Sequence, residues 1–158
     1  MSDDVDMGLL YEAIDQKREA EGLSWARVAK EIGIALSTIK GIRDKKIVEG
    51  DGVLQMLLWL GRSPESFIPK FKAGKKHELK EPKNAVLRFD VKEAYRLLEA
   101  KRLRDELTWV TVAEQIGGVA PSQLQRFKKG GRTSFRAIMR VARWLDVPAK
   151  DLTKESPY

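Results

Sequence analysis

The chain repeats itself, and that repeat constrains its fold more than any other feature. Leu23-Ser24-Trp25-Ala26-Arg27-Val28-Ala29-Lys30-Glu31-Ile32-Gly33 returns as Leu107-Thr108-Trp109-Val110-Thr111-Val112-Ala113-Glu114-Gln115-Ile116-Gly117. Upstream, Tyr11, Lys17 and Arg18 match Tyr95, Lys101 and Arg102; downstream, Trp59-Leu60 matches Trp144-Leu145. The offset is 84 residues up to the shared glycine and 85 after it, Gly118 being one residue extra. A self-similar chain is read as a duplicated structural unit before anything else.

A length of 158 residues would suit one domain. The repeat divides it instead into a first domain over 1–70, a linker over 71–87 and a second domain over 88–158. Domains so small bury a limited core. Residues 1–73 carry a net charge of −1 and residues 85–158 a net charge of +6. A basic half points to a polyanion, most commonly nucleic acid; solubility alone is the other reading of the same charge.

The inventory removes several classes. There is no cysteine, and the single histidine, His77, sits in a polar stretch. A thiolate metal site, a disulfide framework and a histidine-based triad are therefore excluded. No nucleophile–base pairing or phosphate loop is visible, so neither an enzyme nor a cofactor is expected. No apolar run reaches bilayer length. The acidic start, Met1-Ser2-Asp3-Asp4-Val5-Asp6, lacks the order of a signal peptide. The expectation is a soluble protein of the cytoplasm, associated with the nucleoid.

Each copy predicts a run of short helices. In copy one an amphipathic helix spans about Met7 to Glu21, with Leu10, Tyr11 and Ile14 on one face. Ser24 caps a second helix, whose inner stripe is Val28, Ala29 and Ile32. Gly33 supplies a turn needing positive φ. A third helix follows to about Asp44 with Ile39 and Ile42 inward, then a Leu-rich fourth, and a short fifth opened by Ser63-Pro64. Copy two repeats the layout: Asp90 and Thr108 as caps, Gly117-Gly118 as turn, Pro121 starting the third helix, Ser134 to Leu145 as the fourth and Pro148 to Leu152 as the last turn. Lys72 to Asn84 is polar and aperiodic, a linker. No segment alternates as a strand, so the predicted fold is all-α.

Two helices joined by a glycine-bearing turn define a helix-turn-helix, in which the second helix enters the major groove of DNA. Ala29 and Ala113 sit where the two helices should cross closely; Ile39 and Leu124 should pin the second to the core. The pattern Arg18-x3-Gly22-Leu23-Ser24-x3-Val28-Ala29-x2-Ile32-Gly33-x5-Ile39, with a Leu-rich helix ending Leu60-Gly61, resembles the Cro/lambda-repressor-like (XRE-type) DNA-binding domain. Copy two matches through Arg102, Leu107-Thr108, Val112-Ala113, Ile116-Gly117 and Leu124. The resemblance implies two tandem five-helix bundles joined by a charged linker. It also implies a sequence-specific double-stranded DNA-binding transcription regulator, with repression the expected sign.

Carried over by position, base edges would be read by Leu36, Ser37 and Lys40 in copy one, and by Ser122, Gln123, Gln125 and Arg126 in copy two. Arginine can bond both O6 and N7 of guanine, which singles out Arg126, and the glutamines suit adenine. Phosphates would be met by Trp25, Arg27, Arg43, Lys45 and Lys46, and by Trp109, Thr111, Lys128, Lys129 and Arg132, through release of condensed counterions. The two tryptophans equally suit packing on the first helix. Many family members place an acid after the recognition helix that pairs with the first-helix arginine. Here those positions hold Arg43 and Lys128, which leaves the basic side chains to turn toward DNA. Gly41 inside the third helix costs about 1 kcal/mol relative to alanine, and Glu49-Gly50-Asp51 is acidic. Both features weaken copy one as a DNA reader.

Two functional readings follow. In one, both heads read DNA, the linker of about 15 residues reaching roughly 50 Å and so spanning successive major-groove faces about 34 Å apart. In the other, only copy two binds DNA, and copy one is an antitoxin-like protein-interaction or homodimerisation module.

Overall fold

The computed structural model describes residues 4–44 and 47–158. The chain is mostly helical. Copy one forms α1 (Met7–Ala20), α2 (Trp25–Ile32), α3 (Leu36–Arg43) and α4 (Gly50–Leu60); copy two forms α5 (Val91–Arg104), α6 (Trp109–Ile116), α7 (Pro121–Arg126) and α8 (Phe135–Leu145). The fifth helix expected in each copy is a single 3-10 turn, Pro64–Phe67 and Ala149–Leu152.

Capping residues set the helix starts. Asp6, Ser24, Asp90, Thr108 and Ser134 each accept a hydrogen bond from the backbone amide three residues on, satisfying an amide the helix leaves open. Ser63 makes no such bond. Gly33 ends α2 at φ 86°, in the left-handed region that costs a side chain dearly. The apolar stripes meet as the spacing predicts. Ile14, Val28, Ile39, Ile42 and Val53 are fully buried, and so are their counterparts Leu98, Val112, Leu124 and Ile138, with Phe127 nearly so.

The copies also share their polar ties. Lys17 Nζ donates to the Trp59 carbonyl and lies over the Trp59 ring; Lys101 does the same at Trp144. The indole of Trp59 donates to Glu31 and that of Trp144 to Gln115. Asp6 N donates to the Phe67 carbonyl and Asp90 N to that of Leu152. Each tie bridges distant parts of one copy, and the lysine ties give a donor to a carbonyl in the last turn of α4 or α8 that the helix leaves open.

Two expectations are corrected. Val86–Phe89 is a strand, β1, pairing antiparallel with β2 (Thr153–Ser156), Val86 opposite Ser156 and Phe89 opposite Thr153. Four residues are too few to show a period, and their partners lie 64 to 70 residues further along the chain. The predicted linker boundary at 87/88 thus falls inside a strand. Nor is the linker wholly a solvated tether: His77 is buried, its Nδ1 accepting from Gly74 N and its ring edge-on to Phe71.

The copies meet along a reciprocal seam. Gly50 N donates to the Thr133 carbonyl at 2.8 Å, and Phe135 N donates to the Val48 carbonyl at 2.9 Å. Gly50 and Phe135 are the same position in the two copies, as are Val48 and Thr133; between them Glu49 bridges Ser134, its own counterpart. Equivalent residues exchanging equivalent bonds is the pattern a local twofold axis generates. The segments leading into α1 and α5 cross the seam. Arg140 on α8 holds Asp4, while Gln55 on α4, the counterpart of Arg140, donates to the Leu87 carbonyl at 2.8 Å. Gly50 allows the close approach, since a Cβ there would lie 2.8 Å from the Phe89 ring.

Candidate nucleic-acid interface

The exposed edges of α3 and α7 hold the expected base-reading positions. On α3, Ser37 and Lys40 are exposed and Leu36 is half-buried, while Ile39 and Ile42 fasten the helix from below. On α7, Ser122, Gln125 and Arg126 are exposed above buried Leu124. Beyond Arg126 the backbone tightens into a 3-10 turn, Phe127–Lys129, that buries Phe127 and leaves Lys128 and Lys129 exposed. Gln123 is half-buried and lines a cavity of about 300 Å³ at the seam with Arg136 and Arg140; its counterpart Thr38 lines a matching cavity of about 330 Å³ beside Arg132.

Among the described residues the expected phosphate positions divide into four kinds. Lys128 and Lys129 stand exposed, while Lys45 and Lys46 lie outside the described residues. Three arginines are already paired at the surface: Arg27 with Glu31, Arg43 with Asp44 and Arg132 with Glu49 across the seam. Exposed pairs of this kind are weakened by water and salt, so a phosphate can displace the acid at small cost. Trp25 and Trp109 are the third kind. Trp25 stacks on Tyr11 with centroids 5.2 Å apart and lies under Arg18; Trp109 stacks on Tyr95 at 5.6 Å under Arg102. They pack on the first helix of each copy. Thr111 is half-buried, its Oγ accepting from the Thr108 hydroxyl.

The first-helix arginines find acids on their own helix. Arg18 pairs with Asp15 at 2.7 Å and Arg102 with Glu99 at 2.8 Å, and each also donates to the carbonyl of Leu23 or Leu107. The Arg102 guanidinium holds the Glu99 carboxyl below its ordinary range, and the charge of Lys128 pulls the same way. Asp15 and Glu99 thus supply these arginines with an acid from the same helix.

The acidic stretch of copy one is explained by the seam. Glu49 takes Arg132, and the Asp51 carboxylate accepts from Phe89 N at 2.8 Å. The extra residue Gly118 has a use as well: at φ 72° it leaves the space filled by the Arg140 guanidinium, which donates to the Gly117 carbonyl. Arg136 is the surface residue that the sequence reading overlooks. It is exposed beside Gln123 at the seam, and the i, i+4, i+7 spacing of Arg136, Arg140 and Arg143 marked that face.

Among the described residues, no group of acids and histidine could hold a metal ion, and no helix is long and apolar enough to cross a membrane. No family model, curated protein or solved structure matches the chain.

Proposed function

We propose that the protein is a sequence-specific double-stranded DNA-binding regulator of the Cro/lambda-repressor-like kind, with two tandem helix-turn-helix units reading one site through α3 and α7. The observation that carries this reading is the reciprocal seam. A twofold relation between the copies makes α3 and α7 symmetry counterparts, which is the relation that two half-sites on duplex DNA ask of their readers. The short bonds across the seam favour a single two-headed reader over two heads swinging on a tether.

The halves of the site are then unlike. Gly41 stands where copy two has Arg126, and Lys40 where it has Gln125, so the two helices offer different hydrogen-bond groups to the bases. Selection of bound fragments from random duplexes tests this. The expected product is a two-part element with centres about 10–10.5 base pairs apart and dissimilar halves. Absence of any enriched sequence overturns the reading. Enrichment of a single half, lost on Arg126→Ala but kept on Ser37→Ala with Lys40→Ala, replaces it with the alternative in which copy two alone binds DNA.

A further inference from the structure

The two seam cavities are counterparts, yet their walls differ in charge. The cavity beside α7 is lined by Gln123, Ser134, Arg136 and Arg140, and among the described residues no acid lines it. The same positions in copy one are Thr38, Glu49, Asp51 and Gln55, and both of those acids line the cavity beside α3. The twofold relation of the backbone thus carries an acid-free pocket on one side only.

Arg140 is already committed: it gives two bonds to Asp4 and one to the Gly117 carbonyl. Arg136 is not. It is exposed and makes no hydrogen bond or ion pair among the described residues. Its charge reaches Asp4, whose carboxylate bonds to Arg140. Gln123 is half-buried, and its side-chain amide makes no hydrogen bond among the described residues either. Ser134 Oγ accepts from Ala137 N at 3.2 Å and keeps its O–H to give. A guanidinium, an amide and a hydroxyl with no acid among them suit a phosphate, whose oxygens accept from all three. A cation in the same place would be repelled by Arg136 and Arg140.

The position of the cavity points to the source of the phosphate. Gln123 belongs to α7, next to exposed Ser122, and Thr38 belongs to α3, so the seam lies between the two proposed reading helices. Between successive major-groove faces the backbones that border the minor groove pass this point. We propose that the cavity beside α7 takes a backbone phosphate of duplex DNA between the two half-sites, held by Arg136 with Gln123 and Ser134. The inference rests on the two-headed DNA reading and adds a direction to it. Copy one has Asp51 where copy two has Arg136, and so has no such clamp. Gln123 then serves the backbone and not an adenine.

The test uses the full chain and the duplex element it selects, with each phosphate between the halves replaced singly by a neutral methylphosphonate. The parent is expected to lose about tenfold in affinity at a phosphate on the copy-two side. Arg136→Ala, a change at an exposed residue, is expected to weaken binding by about tenfold and to lower the salt slope by about one. The same methylphosphonate should then cost that variant little more. Arg136→Lys is expected to keep the slope, and Gln123→Ala to weaken binding by about threefold without changing it. Inorganic phosphate, against chloride at equal ionic strength, is expected to leave the melting temperature of the chain unchanged. Parental affinity and slope in Arg136→Ala overturn the inference and leave the DNA reading standing. A methylphosphonate loss of equal size with and without Arg136 does the same. Melting raised by inorganic phosphate in the parent but not in Arg136→Ala makes the cavity a site for the free anion and overturns the DNA contact. If the chain selects no element, the inference falls together with the reading it rests on.

Discussion

Asp4 and Arg140 are joined by two hydrogen bonds, of 2.6 and 2.8 Å, across 136 residues of chain. They tie the start of copy one to the last long helix of copy two. The hydrogen bonding from Arg140 outweighs partial burial and holds the Asp4 carboxyl below its ordinary range. A carboxyl lowered by folding adds stability above its unfolded value, about 3.9, and loses it as pH falls through the lower folded value. Asp4→Asn should therefore cost about 1 kcal/mol at neutral pH, a drop of about 2–4 °C in melting temperature for a chain of this size. The gap to the parent should narrow as pH falls below that unfolded value and Asp4 becomes protonated in the folded chain. A gap that does not narrow on acidification would contradict the assignment.

Gly50→Ala should open the seam. The new Cβ would meet the Phe89 ring at 2.8 Å and the Thr133 carbonyl at 3.3 Å. Overpacking of this kind costs about 1–3 kcal/mol, measurable by urea denaturation. Trimming Phe89 to Leu costs stability by itself, but the added loss from Gly50→Ala should shrink in that background. Strict additivity of the two changes would show that the ring is not what the methyl group meets.

Lys101→Met should destabilise copy two by about 1–2 kcal/mol, because the Trp144 carbonyl loses a charged donor and the ring loses its cation. Lys17→Met should do the same through Trp59. Two losses of similar size would express the shared geometry of the ties, in which each ammonium sits about 4 Å from the ring centre, at 4.2 and 4.0 Å. If either variant melts with the parent, the tie contributes nothing.

Arg126→Ala should lower affinity for the selected DNA site by about 1–3 kcal/mol and relax preference at one base pair. Lys128→Ala with Lys129→Ala should act differently, weakening all sequences alike and reducing the salt slope by about one for each charge removed. Gel-shift titrations at several salt concentrations separate the two effects. An unchanged slope would remove both lysines from the phosphate contacts.

Much of the local structure was legible in the chain. Ser24, Thr108 and Asp90 announced helix starts, Gly33 announced a left-handed turn, and the i, i+3, i+4 stripes picked out Ile14, Val28, Ile39 and Leu124 as core. These signals lie within one or two turns of the residue they govern, so neighbouring residues suffice to read them. The exposure of Lys40, Gln125 and Arg126 followed from the same stripes.

Other features depended on residues meeting from far apart in the chain. Val86–Phe89 is a strand only because Thr153–Ser156 lies beside it. Glu49 and Asp51 read as an acidic blemish until Arg132 and the Phe89 amide are placed against them, and Gly118 reads as an insertion until the Arg140 guanidinium fills its space. The amino-acid order by itself determined the duplicated helices and their caps, because those depend on backbone and side-chain preferences within a few residues. The tertiary structure alone decided that Glu49 faces Ser134 and that the two copies lock together, because two surfaces become complementary only after each has folded.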